Sequence, residues 1–226
     1  MRKKTANCIM VAVIVVIAAV GILLAGQHLG WFDREDNAQA LACVNRDKGI
    51  VDLTRDGIAT HLDASAALRD GDQLFGNSGA QATVEIGESR LILGENASLT
   101  VDHAAVDGFA VTVRSGEVFL CAKNTVSVVF GEQSVEVKDS TAVISVCSDS
   151  VSIGILAGEV SIGENVLSGG QSASFAGNKQ PACTALDAAT LSDFFIHCAQ
   201  DSGETLCFTN EELTKVLADR QDGLHG

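Results

Sequence analysis

The chain has 226 residues, with 15 Lys and Arg against 29 Asp and Glu, and its formal net charge is −14. So acidic a surface repels nucleic acid and anionic lipid headgroups, and we expect no nucleic-acid partner. Tyrosine is absent and aromatic residues make up 4% of the chain, so the core is expected to consist of Val, Ile, Leu and Ala.

Residues 8–26 predict a transmembrane helix, because they include no charged, amide or hydroxyl side chain. At about 1.5 Å per residue this run is roughly 28 Å long, close to the hydrocarbon thickness of a bilayer. Arg2, Lys3 and Lys4 precede it, so residues 1–7 are expected to be a cytoplasmic stub. We therefore predict a single-pass protein of the cell membrane with a cytoplasmic N-terminus and an extracytoplasmic C-terminal domain.

Two other export signals fit the same start. A basic start followed by an apolar run also describes a cleaved signal peptide, although this run exceeds the usual core of about 7–15 residues. Small-x-small peptidase sites occur at residues 38–40 and 40–42, and Cys43 after Ala-Leu-Ala resembles a lipoprotein site, but all lie well beyond the run. The anchor, the cleaved signal and the lipoprotein all export the rest of the chain.

A short polar connector over residues 27–43 leads into a region of alternating runs, residues 44–180. The apolar residues that alternate with polar ones are Val84 and Ile86, Val111 and Val113, Val135 and Val137, and Val151, Ile153 and Ile155. A period of two places one face of a strand in a core and the other in water. Many short strands separated by Gly-containing turns indicate an all-β sandwich, barrel or short solenoid.

Residues 181–226 change to a helical pattern, and we expect a small C-terminal helical extension there. Residues 186–197 predict a short helix, and residues 209–212 form a capping box that opens a second helix through about Arg220. The extension is too small to fold alone, so it is expected to pack on the β domain or on a partner.

Six cysteines follow the apolar run: Cys43, Cys121, Cys147, Cys183, Cys198 and Cys207. An even number in an exported domain permits disulfides, and the sequence alone does not choose the pairing. Cys198 and Cys207 are the candidate disulfide, because the loop between them is short. Cys121 and Cys147 lie in strand-like apolar runs. At these two positions we expect a buried free thiol as readily as a disulfide.

The sequence offers no catalytic motif, and we expect a protein that is not an enzyme and needs no cofactor or metal. The histidines are widely scattered, and there is no Cys-x-x-Cys, Gly-x-Ser-x-Gly, phosphate-binding loop or Gly-x-Gly-x-x-Gly. The ligand-binding residues are therefore not assigned by the sequence.

Six short segments, taken in chain order, carry a family resemblance: residues 49–57, 67–74, 82–93, 115–120, 157–162 and 167–171. They resemble the strands and turns of the FecR-type extracytoplasmic domain of bacteria, including its Leu-x-x-Gly-Asp element and its closing Leu-x-x-Gly-Gln element. The resemblance covers about residues 44–176. It implies an all-β fold, either an antiparallel sandwich or a short solenoid-like β domain.

Five residues within these segments are predicted to be structural turn markers. Gly71 allows the backbone geometry of a tight turn, and Asp72 can bond its local backbone and hold that turn closed. Gly116 and Gly158 each stand in a Gly-Glu-Val segment, and Gly170 stands in Ser-Gly-Gly-Gln. All five are interpreted as structural and not as active-site residues.

The chain also departs from the FecR pattern. Residues 145–147, Ser-Val-Cys, occupy the stretch where the family has Gly-Thr. The regulators that name the family carry a cytoplasmic anti-sigma region before the membrane segment, whereas residues 1–7 are too few to fold around a sigma factor. We therefore do not expect this chain to use the complete signalling route of those regulators.

The predicted function is that of a membrane-anchored, extracytoplasmic, non-catalytic interaction module of the cell envelope, whose partner is an envelope protein or a glycan. One alternative is a regulator or sensor that acts through a partner membrane protein, for which Gly21 and Ala25 offer a small-x-x-x-small pair. The other is a structural spacer that self-associates through β edges or the C-terminal helices. The oligomeric state is left open.

Overall fold

The computed structural model describes residues 42–105, 108–131, 133–148, 150–163, 165–175 and 181–223. These residues belong to the unit Leu41–Gly226. The predicted stub, the predicted span over residues 8–26 and most of the connector lie outside the described residues. Among the helices of the described ranges, none combines the length and the apolar character needed to cross a membrane.

The described part of the chain is mainly β structure, as predicted. Its strands are β1 (Ala42–Lys48), β2 (Val51–Arg55), β3 (Ile58–His61), β4 (Ser65–Ala67), β5 (Gln73–Gly76), β6 (Gln81–Ile86), β7 (Ser89–Leu93), β8 (Ser98–Ala105), β9 (Gly108–Ala122), β10 (Val126–Phe130), β11 (Gln133–Val137), β12 (Ser140–Val146), β13 (Val151–Ala157), β14 (Glu159–Ile162), β15 (Asn165–Ser168), β16 (Gln171–Phe175) and β17 (Ala182–Ala185).

The strands pair into two layers. Layer A has the order β4-β1-β6-β7-β9-β12-β13-β16-β17. Layer B has the order β3-β2-β5-β8-β9-β10-β11-β14-β15. Strand β9 belongs to both layers, since its residues 108–115 pair in layer B and its residues 116–122 pair in layer A. Among the described strands, the pairing of β10 with β9 is parallel and the other pairings are antiparallel.

From β10 onward the chain advances by hairpins that alternate between the layers. The β10–β11 and β14–β15 hairpins extend layer B, and the β12–β13 and β16–β17 hairpins extend layer A. The described strands therefore form two hydrogen-bonded layers, to which successive hairpins are added alternately.

One hydrophobic core lies between the layers and takes side chains from both. Val84, Leu120 and Ile144 enter it from layer A, and Leu74 and Val111 enter it from layer B. The predicted alternating positions are buried here except Val151, which is half-buried. Burial of a side chain of this size stabilises a fold by about 1.5–3 kcal/mol, so this core is the main source of stability.

A second hydrophobic cluster covers the other face of layer A. Ile92, Phe119 and Val143 point away from the first core and pack with residues of the C-terminal region such as Phe195 and Leu213. The predicted packing of the C-terminal extension on the β domain is therefore observed. The central strands of layer A are buried on both faces, which explains why they are almost continuously apolar.

The C-terminal region differs from the prediction in two ways. It begins with strand β17, which pairs with β16, so residues 181–226 are not helical throughout. The predicted helix over residues 186–197 is split into a 3₁₀ turn, Ala188–Thr190, and helix α1, Asp193–Asp201, because Leu191 and Ser192 are extended. Ser192 caps α1, since its Oγ accepts a hydrogen bond from Phe195 N at 3.3 Å.

The second predicted helix is present as helix α2, Asn210–Gly223. Its capping box forms as expected: Glu212 N donates to Thr209 Oγ1 at 3.2 Å, and Thr209 N donates to Glu212 Oε2 at 2.8 Å. At the other end of α2, Arg220 pairs with Asp193 and donates to the carbonyl of Ala189 at 3.0 Å. Arg220 thus ties α2 to the start of α1.

Candidate functional site

A groove of 820 Å³ lies between helix α1 and the β layers, and we call it the α1 groove. One wall is formed by α1 and its capping residue, and the other by residues of β1, β6, β7 and β9 with the turn before β6. Its side chains include Asp47, Lys48, Arg90, Glu117, Phe194, His197 and Asp201. Within the described residues this groove is the principal candidate for a functional site.

Helix α1 is fixed over the groove at its N-terminal end. Ser192 Oγ donates to Glu117 Oε2 at 2.7 Å and so connects the helix cap to β9. A β-carbon at Gly94 would lie 3.3 Å from the Phe194 ring, so glycine here lets the helix approach the sheet. The Phe194 ring itself is half-buried and stands 5.4 Å from the Phe195 ring.

The segment after α1 is fixed as well. Arg90 Nη2 donates to the Ser202 carbonyl at 3.5 Å, and the Lys123 ammonium lies 2.8 Å from the Glu204 carboxylate. Because both ends of α1 are connected to layer A, the groove walls are preformed. A preformed site costs less conformational entropy when a partner binds.

Carboxylates outnumber cations around the groove. The acidic residues are Asp47, Glu95, Glu117, Asp193 and Asp201, and the basic ones are Lys48 and Arg90. Thr83 Oγ1 donates to Asp47 at 2.7 Å, and Gly79 N donates to Glu95 at 2.7 Å, so two of these carboxylates are held in place by their neighbours. Such a surface favours a partner that presents positive charge.

Cys198 is the one cysteine that lines the groove among the described residues, and it is a poor nucleophile. Burial, reinforced by the nearby Asp201 carboxylate, raises the pKa of the Cys198 thiol to about 12. The thiol is therefore protonated at neutral pH. No group of three His, Cys, Asp or Glu side chains arranged for a metal ion is found in the described ranges.

The candidate disulfide residues occupy different environments. Cys198 is buried in the second cluster, whereas Cys207 is exposed and lies beside Gly170, whose added β-carbon would be 3.8 Å from the Cys207 β-carbon. The six described cysteines are free thiols. The Cys198–Cys207 bridge stays a prediction.

The predicted turn markers Gly71 and Asp72 lie away from the groove, at the turn before β5. Gly71 has φ +85°, and Asp72 Oδ2 accepts a hydrogen bond from Arg69 N at 2.9 Å. The Asp72 side chain is 1% exposed and is also bound by Arg55, which donates to its two oxygens at 2.9 and 2.7 Å. The Arg55 partner stands 17 positions earlier, so the local sequence did not reveal it.

The three other markers also have positive φ angles. Gly116 has φ +84° and stands where β9 passes between layers, and a β-carbon there would lie 2.4 Å from Ala97 Cα. Gly158 has φ +80°, and its β-carbon would lie 2.3 Å from Ser140 Oγ. Gly170 has φ +86° in the turn between β15 and β16.

Sequence reasoning did not find the α1 groove. Its walls come from residues that are far apart in the chain, such as Glu117 and Ser192, which are separated by 75 positions. The sequence contains one indication of the groove. Arg90 interrupts the apolar strand Ser89–Leu93 on the face that the helices cover. A charge on a strand that is buried on both faces indicates a local opening.

Comparisons with known proteins assign no family. No family model matches the chain, and no curated protein matches it. Two crystal structures described as a "putative anti-sigma factor" from Parabacteroides distasonis ATCC 8503 are similar to part of it, each with 16% identity and a TM-score of 0.44. Each match covers 51% of this chain and 60% of the chain in the matched structure. A likeness of this size carries no assignment of function.

Proposed function

We propose that this chain is a membrane-anchored, extracytoplasmic and non-catalytic interaction module of the cell envelope, with a β domain of the FecR type. The proposed membrane-anchored, extracytoplasmic location is supported by the apolar run at residues 8–26 and by the basic residues before it. The domain type is supported by the ordered segments between residues 49 and 171 and by a mainly β architecture.

The α1 groove is the observation that carries the proposed binding role. Its volume of 820 Å³ falls within the range of about 300–1,000 Å³ that is typical of binding clefts. Phe194 supplies an apolar contact, and the surrounding carboxylates supply charge. We infer that the partner is an envelope protein that inserts a segment with net positive charge.

Site-specific photocrosslinking of the full chain in its native membrane tests this proposal. A photoreactive residue replaces His197, which is exposed in the groove, or Ser134, which is exposed on layer B as a matched control. We expect a discrete crosslinked protein from position 197 and none of the same mass from position 134. Identical products from both positions, or none from either, would contradict the proposal.

A pair of charge reversals tests the electrostatic part. Asp201 lines the groove, whereas Asp219 is exposed on helix α2 outside it. Asp201→Lys should reduce the crosslinking yield from position 197, because a cation would face the positively charged segment. Asp219→Lys changes the net charge equally and should leave that yield unchanged.

A regulatory role is the second candidate, and it is favoured by the resemblance to a family named for its regulators. In this chain a signal would pass through contacts of the membrane helix, where Gly21 and Ala25 permit close helix approach. Replacing residues 8–26 with an unrelated apolar helix separates the two roles. Crosslinking from position 197 should survive the exchange, whereas a signalling output through the helix should be lost.

A further inference from the structure

One side chain of the α1 groove belongs to a residue type that changes its charge near neutral pH. Histidine is the side chain whose ordinary charge change falls between about pH 5 and 8. Among the described residues that line the groove, His197 is the histidine, and it is exposed. The neighbouring Cys198 thiol stays neutral in this range, because burial raises its pKa to about 12.

We propose that protonation of His197 weakens the binding of the positively charged segment in the α1 groove. This inference rests on the proposed binding function and adds the regulation of the same site. A proton from solvent binds the unprotonated ring nitrogen and turns the neutral imidazole into a cation. The affinity for the segment should therefore rise as the pH increases through the range in which histidine loses its proton.

His197 stands between two carboxylates on helix α1. Asp193 is four positions before it and Asp201 is four positions after it, and residues at this spacing are neighbours on one helix face. Asp193 is paired with Arg220 of helix α2. In the described part of α1, Asp201 is thus the carboxylate that a protonated His197 can neutralise. The imidazolium then competes with the partner's cation for the Asp201 carboxylate.

The sheet wall opposite His197 carries charges of both signs. Side chains of these types are ordinarily charged throughout the range from about pH 5 to 8, so they set a constant background. The carboxylates are Asp47 on β1, Glu95 in the turn between β7 and β8, and Glu117 on β9, and the cations are Lys48 on β1 and Arg90 on β7.

The charge balance of the groove gives the size of the effect. With the Asp193–Arg220 pair set aside, four lining carboxylates face two lining cations, which leaves a charge of −2. Protonation of His197 halves this charge. Because His197 is exposed to water, its charge is screened, and we expect the affinity to change by about two- to fourfold.

Fluorescence anisotropy of a basic probe peptide with the full chain in uncharged detergent micelles tests the inference. The probe is Lys-Lys-Phe-Lys-Lys with an uncharged fluorophore on its N-terminus and an amidated C-terminus, so none of its groups titrates between about pH 5 and 8. We expect the wild-type chain to bind the probe about two- to fourfold more tightly at pH 8 than at pH 5, at constant ionic strength.

Three variants assign the pH dependence to its source. His197→Gln should bind the probe equally at both pH values, because glutamine carries no charge at either. His197→Lys keeps a cation at this position and should bind at both pH values as weakly as the wild type does at pH 5. His61→Gln is the matched control, since His61 is exposed on β3 outside the groove lining, and it should keep the wild-type pH dependence.

Asp201→Lys separates this inference from the proposed function on which it rests. Weaker probe binding in Asp201→Lys at pH 8, together with an unchanged pH dependence in His197→Gln, would overturn the regulation and leave the binding role intact. Probe binding by Asp201→Lys as tight as that of the wild type, or no binding by the wild type at either pH, would overturn both.

Discussion

Layers A and B share one core, but their outer faces meet different surroundings. On layer A, the outward residues Ile92, Phe119 and Val143 are buried beneath the C-terminal helices. On layer B, outward residues such as Gln73 and Ser134 are exposed. Strand pairing alone therefore does not decide whether the outer face of a layer is buried or exposed to solvent. Layers A and B have similar, mainly antiparallel pairing, but among the described residues only layer A is covered by helices.

The covered face is also the one that carries the candidate site. Helix α1 packs against layer A through Phe195 and Ile196, and the charged residues at its edge leave the α1 groove open. If the helices hold layer A as described, substitutions beneath them should affect stability much more than equivalent changes on the open face of layer B.

The largest effect is expected for Phe119→Ala. Phe119 is fully buried on the outer face of layer A, and removing its ring should lower the free energy of unfolding by about 3–5 kcal/mol. Val129→Ala is the control, since Val129 is half-buried on the outer face of layer B and should cost about 1 kcal/mol or less. Urea unfolding measures both, and equal costs would contradict the difference between the faces.

A smaller effect is expected for Gly154→Ala. An added β-carbon would lie 2.9 Å from Val143 and 3.1 Å from Leu186, so the substitution should overpack the covered face by about 1–3 kcal/mol. At Gly108, in the part of β9 that pairs in layer B, an added β-carbon meets no atom within 4 Å. Gly108→Ala should leave the midpoint of thermal unfolding nearly unchanged, and a larger drop there than at Gly154 would count against the packing.

Arg220→Met should loosen the helices without unfolding the layers. Arg220 pairs with Asp193 and donates to backbone carbonyls at the start of α1, and losing these contacts should cost about 1–2 kcal/mol. Hydrogen exchange should accelerate in α1 and α2 while the strands of layer B stay protected. Lys215→Met, an exposed change on the same helix, is the control and should leave all these rates unaltered.

The smallest effect concerns the pH dependence of helix α2. Hydrogen bonds from Thr209 N and Thr209 Oγ1 lower the pKa of Glu212. Because its folded pKa is lowered, Glu212 stabilises the helix at neutral pH, and this contribution is lost as the pH falls through that pKa. Exchange of the α2 amides should be faster in Glu212→Gln than in the wild type at neutral pH, and the two should converge in acid.

Glu211→Gln is the matched control for this titration. Glu211 also lies in the first turn of α2 and shares the favourable interaction with the helix dipole. It should change amide exchange less than Glu212→Gln, because the capping bonds are made by Glu212. Equal effects from both variants would show that the charge alone matters.

Local patterns predicted much of layer B and helix α2. Val135 and Val137 alternate with polar neighbours and are buried as their period of two requires. The capping box at residues 209–212 gave the start of α2, since its bonds are made within one turn. Such features depend on neighbours in the chain, and a sequence displays them directly.

Features made by distant residues were not predictable in the same way. Phe119 and Ile92 look like ordinary core residues in sequence, and only tertiary packing places them under the helices. Strand β17 is short and weakly apolar, so its pairing with β16 left no clear pattern. The α1 groove depends on the contact of Ser192 with Glu117, which no local spacing encodes.

The proposed extracytoplasmic position of the β domain is tested most directly by thiol labelling of spheroplasts with a membrane-impermeant maleimide after mild reduction. Cys147 and Cys183 are exposed thiols, whereas Cys121 and Cys198 are buried and should stay unlabelled in the folded chain. A Thr5→Cys variant reports the opposite side of the membrane. The account predicts labelling of Cys147 and Cys183 in intact spheroplasts and labelling at position 5 only after lysis. Labelling of Cys147 and Cys183 only after lysis would contradict it.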